Sequence, residues 1–173
     1  LDQDSVCEGD DAILKFDANG VAPFTITYKE NGVTRIFTAG MVGENNVTVN
    51  PTVNTTYELV SVKDGSAAGC TRSLNQSLTI TVLEKPNVDL STTTPEICEG
   101  RVVKIRANIT GVGNITVNIR NGNGTYDTTF TETAGTYFFN VIPQPGVNTY
   151  TVVSVSDESL LGCTRTNADA ITI

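Results

Sequence analysis

TYELVSV at residues 56–62 and TYTVVSV at residues 149–155 are the two most apolar runs in the chain. Both contain several β-branched side chains, both carry a tyrosine in second place, and neither has the spacing of a helix face. Such runs suit a strand in the middle of a sheet. Each is followed by an aspartate, Asp64 or Asp157, and then by the tetrapeptide GCTR, at 69–72 and again at 162–165. Tyr57 and Tyr150 stand 93 residues apart, as do Cys70 and Cys163. The chain is therefore one unit written twice.

Working outward, the earlier anchors agree. SVCEGDDAIL (5–14) matches EICEGRVVKI (96–105) with a displacement of 91 residues. Two extra residues in the second copy fall between ITYKENGVTRIFT and VNIRNGNGTYDTTFT, where a turn tolerates them. In the first copy Ala12, Leu14 and Phe16 alternate with Ile13 and Lys15. In the second, Val103, Ile105 and Ala107 alternate with Lys104 and Arg106. That period of two predicts a half-buried antiparallel strand. Phe24, Ile26 and Tyr28 correspond to Ile115, Val117 and Ile119. The dipeptides Asn31-Gly32 and Asn123-Gly124 follow as hairpin turns. Further strands are predicted through Ile36-Phe37 and Thr129-Phe130, through 46–49 and 138–142, and through 78–82 and 171–173. About seven short strands per copy and no helix pattern predict an all-β protein of two tandem antiparallel β-sandwiches.

The domain reading follows: repeat 1 at 1–83, with its first strand expected to be truncated, a joint at 84–86, and repeat 2 at 87–173. Pro86 stiffens the joint, which is expected to limit swing between the copies. Leu1 stands inside a strand-like stretch, so the sequence is expected to be a piece of a longer chain. No secretory leader is visible.

Composition narrows the function classes. The chain has 173 residues, 39% hydrophobic and 17% charged, which is a globular balance. A net charge of −8 without a basic stripe argues against nucleic acid as a partner. No apolar run reaches the length of a membrane-spanning helix. Histidine is absent, which removes histidine triads, histidine bases and histidine metal ligands together. Tryptophan is absent too, weakening an aromatic sugar platform. Glu8 and Glu99 sit beside Cys and Gly in a strand-entry turn rather than facing one another across a cleft, as a glycosidase pair would. The expectation is a protein that is not an enzyme.

Four cysteines, two per copy and without a CxxC, fit disulfides in an oxidising compartment better than zinc or thiol catalysis. The expected bonds are Cys7–Cys70 and Cys98–Cys163, since each unit must fold alone in an array. One geometric objection stands beside this expectation: in a simple sandwich the paired positions lie at opposite poles. Gly9 and Gly100 are expected to supply permissive backbone angles at the strand-entry corner. Tyr57 and Tyr150 are expected to turn their hydroxyls back onto the preceding connection, as in a tyrosine corner. Asp17 and Asp64 are the candidate oxygen ligands for calcium. Asp17 aligns with Asn108, which disfavours a calcium site common to both copies, so no cofactor is expected. Asp64 and Asp157 recur, as turn-forming residues would. Asn-x-Ser/Thr sequons occur at Asn46, Asn54, Asn75, Asn108, Asn114 and Asn123, and imply glycans only in a host with that machinery.

The order ICEG, PFTITYKENG, TYELVSV, GCTR and LTITV resembles the PKD-like or immunoglobulin-like repeats of very large surface adhesins of Bacteroidetes, including flavobacterial gliding-motility adhesins. The resemblance spans nearly the whole chain as two consecutive units. The early Cys-x-Gly and late Gly-Cys are its most specific marks. Ile119 departs from it, standing where many such units carry an aromatic residue. The resemblance implies immunoglobulin-like sandwiches, export by type IX secretion, display at the cell surface, and a role in gliding and attachment. It also implies O-glycosylation at Asp-Ser/Thr-x sites, a form that Asp4-Ser5-Val6 and Asp127-Thr128-Thr129 match. Expected partners are neighbouring repeats of the same chain and surface polysaccharide or a solid substratum. The alternative is a spacer or carbohydrate-contacting accessory segment of a secreted polysaccharide-degrading enzyme.

Overall fold

The computed structural model describes residues 4–122, 127–166 and 168–173. The Asn123-Gly124 turn and the sequon at Asn123 lie outside them. The chain forms two compact units, Leu1–Leu83 and Glu84–Ile173. Among the described residues there is no helix, and both units are antiparallel sandwiches with one parallel pair in the first.

The first unit contains β1 (Ser5–Cys7), β2 (Ala12–Ala18), β3 (Phe24–Glu30), β4 (Val33–Ala39), β5 (Gly43–Val49), β6 (Thr55–Lys63) and β7 (Thr71–Leu83). One sheet has the order β1-β7-β6-β3-β4, and β2 pairs with β5 to face it. The second unit contains β8 (Asn87–Ser91), β9 (Val103–Thr110), β10 (Ile115–Asn121), β11 (Asp127–Glu132), β12 (Gly135–Val141), β13 (Thr149–Ser156), β14 (Thr164–Thr166) and β15 (Ala170–Thr172). There β11-β10-β13-β14, with β15 also on β13, faces β12-β9-β8.

The alternation read from the sequence is the alternation of burial. Ala12 and Leu14 on β2, Phe24, Ile26 and Tyr28 on β3, and Tyr57 on β6 point inward. In the second unit Val103, Ile105, Ala107 and Ile109 meet Ile115, Val117 and Ile119, closed by Tyr150, Val152 and Val155. Each fully buried aliphatic side chain contributes roughly 1.5–3 kcal/mol relative to exposure. The second core is one cluster, whereas the first is divided into a group around Leu14, Tyr57 and Ile80 and another around Ala18, Phe24 and Ile26.

Asn31 and Gly32 have φ of +46° and +83° and join β3 to β4 as a two-residue hairpin. Both central residues at positive φ give the turn whose twist matches the flanking strands. The central strands β6 and β13 share a further device. Thr27 faces Ser61 while Tyr28 faces Leu59, which leaves Val60 as an extra residue; Asn118 faces Ser154 while Ile119 faces Val152, which leaves Val153 extra. This one-residue bulge explains why LVSV and VVSV break strict alternation yet still bury Val155.

Pro86, read from sequence as the end of the joint, belongs to the second unit. Its carbonyl accepts a bond from Arg165 Nε at 3.1 Å, and a Cβ placed on Gly111 would come within 2.9 Å of its ring.

Candidate functional site

Each unit has a polar sheet face and two ends that carry the cysteines. The outward face of β11-β10-β13-β14 is built from the positions that alternate with the core. Register places Thr131, Thr116, Ser156 and Thr164 in one row, and Thr129, Asn118, Ser154 and Thr166 in the next. The rows are knitted together. Thr116 and Thr131 hydroxyls lie 3.2 Å apart, Asn118 Nδ2 donates to Ser154 Oγ at 2.7 Å, and Thr129 Oγ1 donates to Asn118 Oδ1. Strand spacing of about 4.8 Å sets the repeat of these hydroxyl and amide groups across the sheet. In the first unit the same positions give Thr38, Thr25, Lys63 and Thr71 in one row. Beside them Ile36 is 68% exposed on the same face.

The opposite sheet of the second unit is different. Lys104 Nζ lies 4.2 Å over the ring of exposed Phe138, a cation–π pair, and Arg106 donates to Thr136, which donates to Asn108.

The four cysteines are not arranged as expected. Cys7 and Cys163 are disulfide-bonded, whereas Cys70 and Cys98 are free and exposed. The bonds Cys7–Cys70 and Cys98–Cys163 are therefore corrected, and the topology gives the reason. Cys7 is in register with Leu83 at the far end of β7, while Cys70 immediately precedes the start of that strand. Thirteen residues of strand separate the two ends, which is roughly 40 Å, against the about 4.4–6.8 Å between Cα atoms that a disulfide spans. In the second unit Cys163 lies beside Asp157 and Val112 at one end of β13. Cys98 lies at the other, in a recess lined by Ile97, Pro143, Pro145 and Ile173. The segments after Asp64 and Asp157 do not fold back to bridge these ends, because each closes as a tight turn.

Asp64 builds the first of those turns. Its Oδ1 accepts from Ser66 Oγ at 2.6 Å, from Cys70 N at 2.9 Å and from Ser66 N at 3.3 Å. The Ser66 hydroxyl foremost holds its carboxyl below the ordinary 3.8; partial desolvation opposes this, and the Ser66 and Cys70 N–H groups add to it. Asp157 does the same work, accepting from Ser159 N at 3.1 Å and Val112 N at 3.3 Å. Asp17 lies on β2 in register with Glu44 and lines the same cleft as Asp64 and Cys70. Among the described residues no group of three or more His, Cys, Asp or Glu side chains is placed to hold a metal ion.

Gly9 and Gly100 have φ of +77° and +74°, with nothing within 4 Å of where a Cβ would stand. The requirement at both corners is conformational and not steric. Tyr57 does not form the expected corner: its hydroxyl donates to Glu30 Oε1 on the neighbouring strand at 3.3 Å. Glu30 is held in turn by Arg35, whose Nε donates to Oε2 at 2.9 Å. Burial, then the charge of Glu30 and its hydrogen bond, push the Tyr57 hydroxyl up to about 12. Burial also raises that of Tyr28, whose ring lies 6.4 Å from that of Tyr57. Tyr150 is buried in the core of the second unit. The Glu30–Arg35 partnership was missed by sequence reading, although the hairpin register Tyr28↔Arg35 follows from the Asn31-Gly32 turn.

No family model matches the chain, and no curated protein matches it. Among solved structures it is similar to a Ca2+-stabilised adhesin that helps an Antarctic bacterium reach out and bind ice, at 21% identity over 98% of this chain and 45% of that one, with a TM-score of 0.46. It is similar to a 1.5-MDa bacterial ice-binding adhesin at 15% identity over 98% and 60%, with a TM-score of 0.42. It is similar to the amphioxus IgVJ-C2 molecule at 14% identity over 98% and 97%, with a TM-score of 0.37. The chain spans about half the length of the two adhesin chains. At these values the likeness says nothing of ligand or activity.

Proposed function

We propose that this chain is a non-enzymatic, surface-displayed adhesive segment of a repetitive exported protein, of the kind to which the gliding-motility adhesin SprB of flavobacteria belongs. Its two sandwiches serve as a stalk, and their outward polar faces make weak contacts with polysaccharide or a solid substratum. The observation that carries the reading is the knitted hydroxyl and amide face around Thr116, Asn118, Thr129 and Ser154. Such a face offers many equivalent donors and acceptors and no enclosed reaction site. A single contact of this sort is weak, and repetition along a chain multiplies it by avidity. The oxidised state of Cys7 and Cys163 supports an exported protein. The sequence resemblance supports type IX secretion and gliding motility as its setting.

The test is adhesion of beads coated with the chain to polysaccharide films and glass, alongside a glycan array. Beads carrying the wild-type chain are expected to outlast beads carrying Asn118→Ala/Thr129→Ala under flow, whereas Lys104→Ala on the other sheet leaves adhesion unchanged. Wild-type beads that detach as readily as beads coated with an inert protein would overturn the adhesive part. The parent reading frame separates the settings, since many further copies of this unit favour an adhesin and a hydrolase domain favours the accessory role.

A further inference from the structure

The strands β2 and β9 are equivalent in the repeat, and what lies along their edges differs. In the second unit β8 runs antiparallel along β9, with Val88 opposite Ile109, Asp89 opposite Asn108, Leu90 opposite Ala107 and Ser91 opposite Arg106. Val88 is fully buried in that core and Leu90 packs against it. Leu90 N also donates to Asp169 Oδ2 at 2.6 Å. The displacement of 91 residues carries the covered stretch 106–110 onto 15–19 of the first unit. There β2 pairs with β5 along one edge, and among the described residues no strand pairs with the other. That edge forms one wall of a cleft of about 600 Å³, lined by Lys15, Phe16, Asp17, Ala18 and Asn19, the equivalents of the five residues that face β8. The opposite wall matches as well. Leu59 and Val62 line the cleft and are half-buried, whereas their equivalents Val152 and Val155, 93 residues on, are fully buried. Gln76 lines the cleft too and is the equivalent of Asp169: it is in register with Leu59, just as Val152 N donates to the Asp169 carbonyl.

We propose that this cleft is an acceptor site for one extended peptide strand, supplied by a partner polypeptide and added antiparallel to β2, with aliphatic side chains at alternate positions seated opposite Phe16 and Ala18. The edge of a strand presents a row of backbone donors and acceptors that another extended segment can pair. In such strand addition the main-chain bonds supply affinity, and the pockets for alternate side chains supply selectivity. The chemistry of the occupant is set by β8, whose sequence NVDLS turns Val88 and Leu90 onto the core and leaves polar residues between them. A strand of that pattern would cover Phe16, Leu59 and Val62 as β8 covers the second core. Phe16 packs against both halves of the divided first core, so the covered surface lies at their seam. The Gln76 amide oxygen can accept from a backbone N–H of the strand, as the Asp169 carboxylate does from Leu90 N. The proposal does not depend on the sheet faces binding anything.

The probe is a synthetic peptide with the sequence of residues 85–92, KPNVDLST, titrated into the whole isotope-labelled chain and followed by NMR. Saturable binding is expected, with amide shifts gathered at residues 15–19, 59–62 and 74–76 and slowed hydrogen exchange at 16–18. A peptide carrying Val88→Asp and Leu90→Asp should bind more than about tenfold more weakly, because neither side chain then gains by leaving water. Gln76→Ala, at an exposed position of β7, should weaken uptake of the unaltered peptide without unfolding the first unit. A chain with residues 84–91 joined directly ahead of Leu1 places the added serine as far before Cys7 as Ser91 stands before Cys98. It should refuse the free peptide, and its first unit should melt at a higher temperature. No saturable binding at millimolar peptide, equal binding of the aspartate peptide, shifts gathered on β9 and β12 instead, or undiminished uptake by the extended chain would overturn the proposal. So would chains that pair with one another through β2 in sedimentation and take up no peptide, which would assign the edge to a second copy.

Discussion

At the scale of single residues, two kinds of constraint can be separated by substitution. Gly9 and Gly100 turn the strand-entry corner in a left-handed conformation with open space around them. Alanine there should cost about 1 kcal/mol each in chemical denaturation, because only the backbone is strained, and asparagine should cost less. Asp64 is an electrostatic constraint. Its carboxyl is depressed below the ordinary value, chiefly by the Ser66 hydroxyl. A depressed carboxylate contributes stability that is present above the unfolded value and is lost as pH falls through the folded one. Thermal melts of wild type and Asp64→Ala should therefore differ most near neutrality and converge in acid below the carboxylate range. A gap that persists unchanged into strong acid would remove this account of the turn. Both corners were legible in the sequence as recurring Cys-Glu-Gly and recurring aspartate. The hydrogen bond from Tyr57 to Glu30 was not, since it depends on which neighbouring strand lies within reach of the hydroxyl.

Among elements, the central strands show what periodicity can and cannot say. The alternation in 12–16, 24–28 and 103–109 survives into the structure because those strands have no irregularity to change their phase. TYTVVSV does not alternate, and its apolar density alone marked it as central. The extra residue at Val153 resolves the discrepancy: Tyr150 and Val152 face in, the bulge shifts the phase, and Val155 faces in again. Deleting Val153 should accordingly leave Tyr150, Val152 and Val155 on the core face with a straighter strand, and the protein should stay folded with a lower melting temperature by circular dichroism. Deleting Thr116 from β10, where no bulge absorbs the change, should turn Ile115 outward and unfold the second unit. The pairing of β1 with β7 escaped sequence reading because three residues are too few for a pattern. So did the length of β7, whose first half, TRSLNQS, carries little apolar signal.

Over the whole molecule, the doubled unit was the clearest message of the sequence, and the cysteine connectivity the least accessible. Spacing along the chain says nothing about which end of a sandwich a residue occupies, and that is set by strand direction. The same directionality has a mechanical consequence in the first unit. β1 and β7 run parallel, with Ser5 beside Thr81 and Cys7 beside Leu83, and Thr81 N donates to the Asp4 carbonyl at 2.8 Å. Tension applied at Ser5 and Leu83 pulls the two strands past each other along their length. Their hydrogen bonds are then loaded together, as a lap joint is, and must yield at once. The β3–β4 hairpin pulled from its open end would instead peel one bond at a time. In single-molecule stretching, the first unit held through residues 5 and 83 should rupture at a distinctly higher force than when held through Phe24 and Ala39. Val6→Pro, which strips a backbone donor from the joint, should remove most of that difference.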